Sequence, residues 1–223
     1  MKLIGKGMYS RVYECEYGET GEAGAAASAA LVKKVYLTDT NSPEFADELY
    51  DAFKNEVRVL ELLKKSGVEG VSELISYQDL GHNKENYIIL RKYQDLGNIN
   101  LESDIQQLTA IINQCHYADV QHNDVKWKNI KRDNMGNIVL IDWNLAKIGE
   151  PDKQRFDKEE LALMIVEQLI GLRDYEQMVS RYEDTDPEDK IYMEENYYYN
   201  KRVWEESDER LYWQSFIIEL LGI

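Results

Sequence analysis

Apolar and polar residues alternate at period two through Val12-Tyr13-Glu14-Cys15-Glu16-Tyr17, and a second β-rich run covers residues 31–37. Alternation of this kind sends successive side chains to opposite faces of a strand. The Gly- and Ala-rich residues 18–30 between them are expected to be a hairpin connection. From residue 43 to 66 the period becomes helical, with Val57, Leu60 and Leu63 on one face. Ser42 is the predicted N-cap, Pro43 the first helical residue and Gly67 the terminator. Residues 74–77 and 87–93 read as two further strands, joined by a polar turn around Gly81, His82 and Asn83.

After Gly97 the pattern is mostly helical. Leu101, Ile105, Leu108, Ile111 and Ile112 mark a helix over 101–117. A loop and a short β-like run over 137–141 follow, then an apolar helix over 156–172. Residues 174–223 read as helical, with a polar break near 185–187. Strands first and helices second predict an α+β fold of two lobes. The expected division is a β-rich N-lobe over 1–90, a hinge over 91–98 and an α-rich C-lobe over 99–223, in a single domain.

Composition narrows the function classes. Of 223 residues, 43% are hydrophobic, enough for a core, and the apolar runs, such as 216–221, are too short to cross a bilayer. Gly5 and Gly7 interrupt any signal-peptide pattern, and Cys15 and Cys115 have no metal-ligand spacing. Buried thiols in a reducing, intracellular and cytoplasmic setting are the expectation. The net charge of −16 argues against a nucleic-acid binder and suits a basic protein substrate.

The candidate chemistry begins with Gly5-Lys6-Gly7-Met8-Tyr9-Ser10-Arg11-Val12, at the turn between two predicted strands. Glycines there let the backbone approach phosphates closely. Lys33 lies in the next β-rich run, where a fixed ammonium can neutralise phosphate, and Glu56 lies near the apolar face of the first helix. His122-Asn123-Asp124-Val125-Lys126-Trp127-Lys128-Asn129 precedes Ile141-Asp142-Trp143-Asn144. Asp124, Asn129 and Asp142 supply hard oxygen donors of the kind that hold Mg²⁺ against a triphosphate, and Lys126 can share a face with Asp124.

In that order and spacing these motifs resemble the eukaryotic protein kinase superfamily, from about residue 3 to residue 170. Ser10 stands at the third glycine of the glycine-rich loop, and Ala30-Leu31-Val32-Lys33 resembles the strand of the phosphate-anchoring lysine. The resemblance implies ATP and Mg²⁺ as cofactors, with Gly5, Gly7, Ser10 and Val12 over the nucleotide. It makes Lys33 the anchor, with Lys34 as rival, and Glu56 its partner, and it puts Leu90 near the gatekeeper position. Asp124 would orient the attacking hydroxyl, Lys126 would steady the transferred phosphoryl, and Asn129 and Asp142 would hold the metal. His122 is expected to pack beneath the catalytic loop, with Trp127 and Trp143 as packing residues.

The departures also carry meaning. Asn123 replaces the arginine of His-Arg-Asp, no Ala-Pro-Glu follows, and residues 145–176 contain Tyr175 but no serine or threonine. A serine/threonine protein kinase not switched by activation-loop phosphorylation is the leading expectation. The chain is also similar to haspin-like kinases. Through Ile141-Asp142-Trp143, Gly149-Glu150-Pro151 and Asp157 it is similar to aminoglycoside and choline phosphotransferases. A small-molecule kinase and a nucleotide-binding pseudokinase are therefore the alternatives.

Overall fold

In the computed structural model the described residues are 1–7, 9–15, 30–36, 43–82, 84–150 and 154–169. The expected Ser42 cap, residues 18–29 of the expected connection over 18–30 and the helices expected beyond 169 lie outside them. The chain divides into two compact units, Met1–Gln154 and Arg155–Ile223.

The strands expected in the β-rich N-terminal part form one antiparallel sheet. Its members are β1 (Lys2–Lys6), β2 (Ser10–Cys15), β3 (Leu31–Tyr36), β4 (Leu74–Gln78) and β5 (Tyr87–Arg91). Their order is β1-β2-β3-β5-β4, so β3 and β5 are central. Both strands are buried on both faces: Leu31, Val32, Val35 and Tyr36 on β3, and Ile88, Ile89 and Leu90 on β5.

Helix α1 (Pro43–Lys65) realises the helical period and packs against β3 and β4. Phe53, Val59, Leu60 and Leu63 are almost wholly buried, each worth about 1.5–3 kcal/mol of transfer free energy. The Tyr36 and Phe53 rings meet edge to face at 5.5 Å. Gly67, at φ +69°, ends the helix in a conformation that a side chain disfavours. The Val68 N–H reaches back to the Leu63 carbonyl at 3.0 Å.

Beyond β6 (Gln94–Asp95), helix α2 (Leu101–Tyr117) starts where Asn100 accepts from the Ser103 N–H. It buries Ile105, Leu108, Ile111 and Ile112 and contacts β7 (Val120–Gln121) and β9 (Ile138–Leu140). Strand β8 (Ile130–Arg132) joins β6 and β9 in a three-stranded sheet, and β10 (Lys147–Ile148) pairs with β7. Arg132 grips Asp104 with two guanidinium nitrogens, at 3.1 and 2.6 Å, and donates to the Leu96 and Asn98 carbonyls at 3.0 Å each. That fork ties the stretch before α2 to the segment carrying the candidate catalytic loop.

The expected helix over 156–172 is α3 (Gln154–Leu169), on which Asp157 is buried. Among the described residues no helix is long and apolar enough to cross a membrane. Cys15 and Cys115 are both buried and form no disulfide.

Candidate active site

Strand register decides which of two adjacent lysines enters the site. Lys34 pairs laterally with Val12 and Ile88, and Lys33 with Tyr13 and Ile89. Paired residues share a face and neighbours in sequence do not, so Val12, Lys34 and Ile88 face one way, together with Val32 and Leu90. Lys33 faces the other way, against the Tyr87 ring at 3.9 Å and Glu85 at 3.8 Å.

Lys34 is the buried lysine. Its Nζ donates to Glu56 Oε2 at 2.6 Å and to Asp142 Oδ1 at 2.5 Å. The sequence expectation of Lys33 as the partner of Glu56 is thereby corrected by one residue. A second partner was not foreseen: the Tyr36 hydroxyl, two residues along the same face of β3, also donates to Glu56 Oε2.

Electrostatics follow from this packing. Burial opposes the Lys34 charge, but Glu56 and Asp142 outweigh it and raise the lysine above its ordinary range. Burial raises Glu56, with the Lys34 charge pulling the other way. Burial also lifts Tyr36 well above the usual phenol value, and the Glu56 carboxylate adds to the effect. For Asp142 burial is again unfavourable, yet the charge and hydrogen bond of Lys34 prevail and hold the carboxyl below its usual value. Lys34 thus stands between Glu56 and Asp142, with the Tyr36 hydroxyl capping Glu56.

The second cluster is the loop before β8. Asp124 Oδ1 accepts from Lys126 Nζ at 2.7 Å. Asn129, on the 3₁₀ turn Trp127–Asn129, donates through Nδ2 to Asp124 Oδ2 at 2.8 Å and to the Asp124 carbonyl at 2.9 Å. The Asn129 amide nitrogen is thus committed, leaving its side-chain oxygen as the atom it can offer a cation.

Main-chain bonds join the two clusters. The Ile141 N–H donates to the Asn129 carbonyl at 2.8 Å. His122 Nδ1 accepts from the Asp124 N–H at 3.2 Å, which leaves Nε2 to donate to the Ile141 carbonyl at 3.0 Å. His122 packs against Trp143 at 4.4 Å between ring centres, and Trp143 is fully buried with its indole N–H on the Leu140 carbonyl. Asp142 itself has φ +69° and Asn123 φ +59°, a conformation costing a residue with a Cβ about 1–2 kcal/mol. Strained backbone persists where its surroundings over-determine it.

The glycine-rich turn is also in register with the site. Gly5 pairs with Val12, which pairs with Lys34. A Cβ on Gly5 would stand 3.4 Å from Val12 Cβ. Gly7 donates to the Ser10 carbonyl at 2.9 Å, and Ser10 is buried. Leu90 is buried on β5 beside Val32, on the face of Lys34. The described residues contain no cluster of three or more His, Cys, Asp or Glu that could hold a metal unaided.

An antiparallel sheet of five strands with one helix, holding a Lys–Glu pair and followed by an Asp–Asn loop and a second aspartate, is the α+β protein-kinase-like fold. The relatives agree. The chain is 29% identical over 162 residues to CBL-interacting serine/threonine-protein kinase 20 of Arabidopsis thaliana, covering 69% of this chain and 34% of that protein. It is 26% identical over 196 residues to cyclin-dependent kinase 1 of Encephalitozoon cuniculi, covering 80% and 61%. With human mitogen-activated protein kinase kinase kinase 3 it shares 26% identity over 158 residues, 66% of this chain and 24% of that one. The chain spans about a third of the length of the CBL-interacting kinases it matches. No protein-family model matches it. These low-identity relatives support a kinase-like function.

Proposed function

We propose that the chain is an ATP-dependent phosphotransferase acting on a hydroxyl group, and specifically a serine/threonine protein kinase that needs no phosphorylated activation loop. The observation that carries this reading is the bridging of Glu56 and Asp142 by buried Lys34, with Asp124 and Asn129 tied to it through Ile141. A lysine held between two carboxylates presents a fixed positive charge to a polyphosphate. The absence of serine and threonine from residues 145–176 supports independence from phosphorylation.

Asn129 and Asp142 fit a magnesium ion, because each can offer a hard oxygen and Asn129 is oriented by Asp124. Such an ion would neutralise charge on the β- and γ-phosphates. Lys34 holds the α- and β-phosphates under the turn of Gly5, Gly7 and Ser10, while Val12 and Leu90 flank the base. Asp124 accepts the proton of the acceptor hydroxyl as its oxygen bonds to the γ-phosphorus and the bond to the β-phosphate oxygen breaks. Lys126 steadies the charge on the group in transit.

The test is transfer of labelled γ-phosphate from MgATP by the wild type and by Asp124→Ala. Acceptors are histone, casein, the chain itself, and a panel of amino-alcohols and aminoglycosides. Label on protein that disappears in Asp124→Ala, with nucleotide binding retained, is the expected result. Label confined to small molecules would replace the protein-kinase reading, and ATP binding without transfer would leave a pseudokinase.

A further inference from the structure

Asn55, a half-buried residue of α1 outside the groups assigned to the chemistry, bears directly on where Asp142 sits. Its Nδ2 donates to the Asn144 carbonyl at 3.0 Å and to the Ala146 carbonyl at 2.8 Å. An amide nitrogen carries two hydrogens, so this clamp uses both. Ala146 is fully buried and Asn144 nearly so, which makes the clamped segment part of the packed structure.

The next residue of α1, Glu56, holds Lys34, and Lys34 holds Asp142. One turn of helix therefore grips Asp142 twice, by its side chain through Lys34 and by its following backbone through Asn55. Asp142 lies at φ +69°, where a residue with a Cβ stays only if its neighbours fix it. Upstream, Ile141 is fixed by Asn129 and His122. Downstream, the segment is held by the Asn55 side chain and by a longer bond from Asn123 Nδ2 to the Leu145 carbonyl at 3.3 Å. Residues 145–176 offer no serine or threonine whose phosphorylation could order this segment.

We propose that Asn55 is a positioning residue that sets the Asp142 carboxylate for its cation, a built-in substitute for a phosphate-ordered segment. The inference rests on the assignment of Asp142 in the proposed function. It does not require Asn55 to touch nucleotide, metal or acceptor.

Asn55→Asp keeps the shape and removes both donors, and Asn55→Gln restores them on a longer arm. For each, three quantities are measured on the full chain: the Mg²⁺ concentration at half-maximal binding of a fluorescent ATP analogue, kcat for labelled phosphate transfer, and the melting temperature. Asn55→Asp is expected to raise the Mg²⁺ midpoint about 10-fold and lower kcat up to about 10²-fold, the scale of a small misplacement. The melting temperature should fall as well, since two buried carbonyls lose their donor, so the Mg²⁺ midpoint of the folded fraction is the deciding quantity. Asn55→Gln should recover part of the losses in midpoint and kcat. A purely structural role would lower the melting temperature and leave the Mg²⁺ midpoint of the folded fraction unmoved, and that result overturns the proposal. If Asn55→Asp does not fold, Asn55→Ser, with a single hydroxyl donor, takes its place under the same criteria. A wild type that binds MgATP beside variants with an unshifted midpoint sinks this inference alone. A wild type that binds no MgATP sinks the proposed function with it.

Discussion

The Ile141 N–H donates to the Asn129 carbonyl at 2.8 Å. Each of these residues adjoins or is a proposed metal-facing group, since Asp142 follows Ile141. Backbone alone therefore ties the two oxygen donors together, before any ligand binds. Side chains then tune what the backbone has placed.

Replacing Lys34 should damage the protein far more than replacing Lys33. Lys34→Met leaves Glu56 buried beside Asp142 with no cation, and removing one partner of a buried pair costs about 3–5 kcal/mol. Transfer should fall by about 10²-fold or more. Lys33→Met removes an ammonium that contacts the Tyr87 ring and an exposed glutamate and should stay within about 1 kcal/mol. Urea midpoints and initial rates on both variants check this, and a larger loss for Lys33→Met would reverse the assignment.

Tyr36→Phe deletes one oxygen from the core. The phenol donates to a carboxylate, and hydrogen bonds to charged groups contribute about 1.5–3 kcal/mol. The variant should unfold at lower denaturant by that amount. Leucine at the same position should do worse, because the edge contact with Phe53 goes too.

Stability should fall at both extremes of pH. Lys34 is raised in the fold, so its contribution is complete below its unfolded value of about 10.4 and is lost as pH climbs through the folded one. Tyr36, held neutral, adds to the same alkaline limb. Asp142 is lowered, so its contribution is present above about 3.9 and is lost as pH drops through its folded value. Glu56 is raised, which makes its ionisation a cost that appears as pH rises past about 4.3. Without Lys34 that cost should grow, so Lys34→Met should lose more stability from acid toward neutral pH than the wild type does. Denaturant midpoints between pH 3 and 11 separate the two profiles.

Gly70→Ala should be destabilising by about 2–4 kcal/mol. Gly70 has φ +73°, and a Cβ there would stand 2.5 Å from Ile111 Cδ1, so overpacking of about 1–3 kcal/mol joins about 1 kcal/mol of backbone strain. Melting of Gly70→Ala, of Ile111→Ala, which removes both Cδ1 and the Cγ1 that the added Cβ would meet at 2.6 Å, and of the double variant separates the two parts. A double variant whose loss equals the sum of the two single losses would show that the clash is not the cause.

Helices α1 and α2 were legible because each buries one face and exposes the other, which writes a period of 3.6 into Val57, Leu60 and Leu63 and into Ile105, Leu108 and Ile112. The motifs around Asp124 and Asp142 were legible because short spacing fixes their chemistry. Strand β3 was not. It is buried on both faces, so Leu31, Val32, Val35 and Tyr36 leave no alternation to say which lysine points where. One signal was present: Tyr36 is a large polar aromatic in step with Lys34, and a buried hydroxyl needs a partner. The clamp by Asn55 could not be read at all, since it joins residues 89 and 91 positions apart through main-chain carbonyls.

The lysine doublet on β3 has a consequence for folding. Sliding β3 by one position against β2 and β5 would exchange the two faces of the strand, and Lys33 would then arrive where Lys34 stands. Both alignments would offer Glu56 an ammonium, so charge does not tell the correct pairing from its nearest competitor. The phenol does. In the slipped alignment Tyr36 would be carried to the opposite face and valine would come to the carboxylate, leaving Glu56 a cation but no hydroxyl. Tyr36 is in this sense the proofreader of the strand.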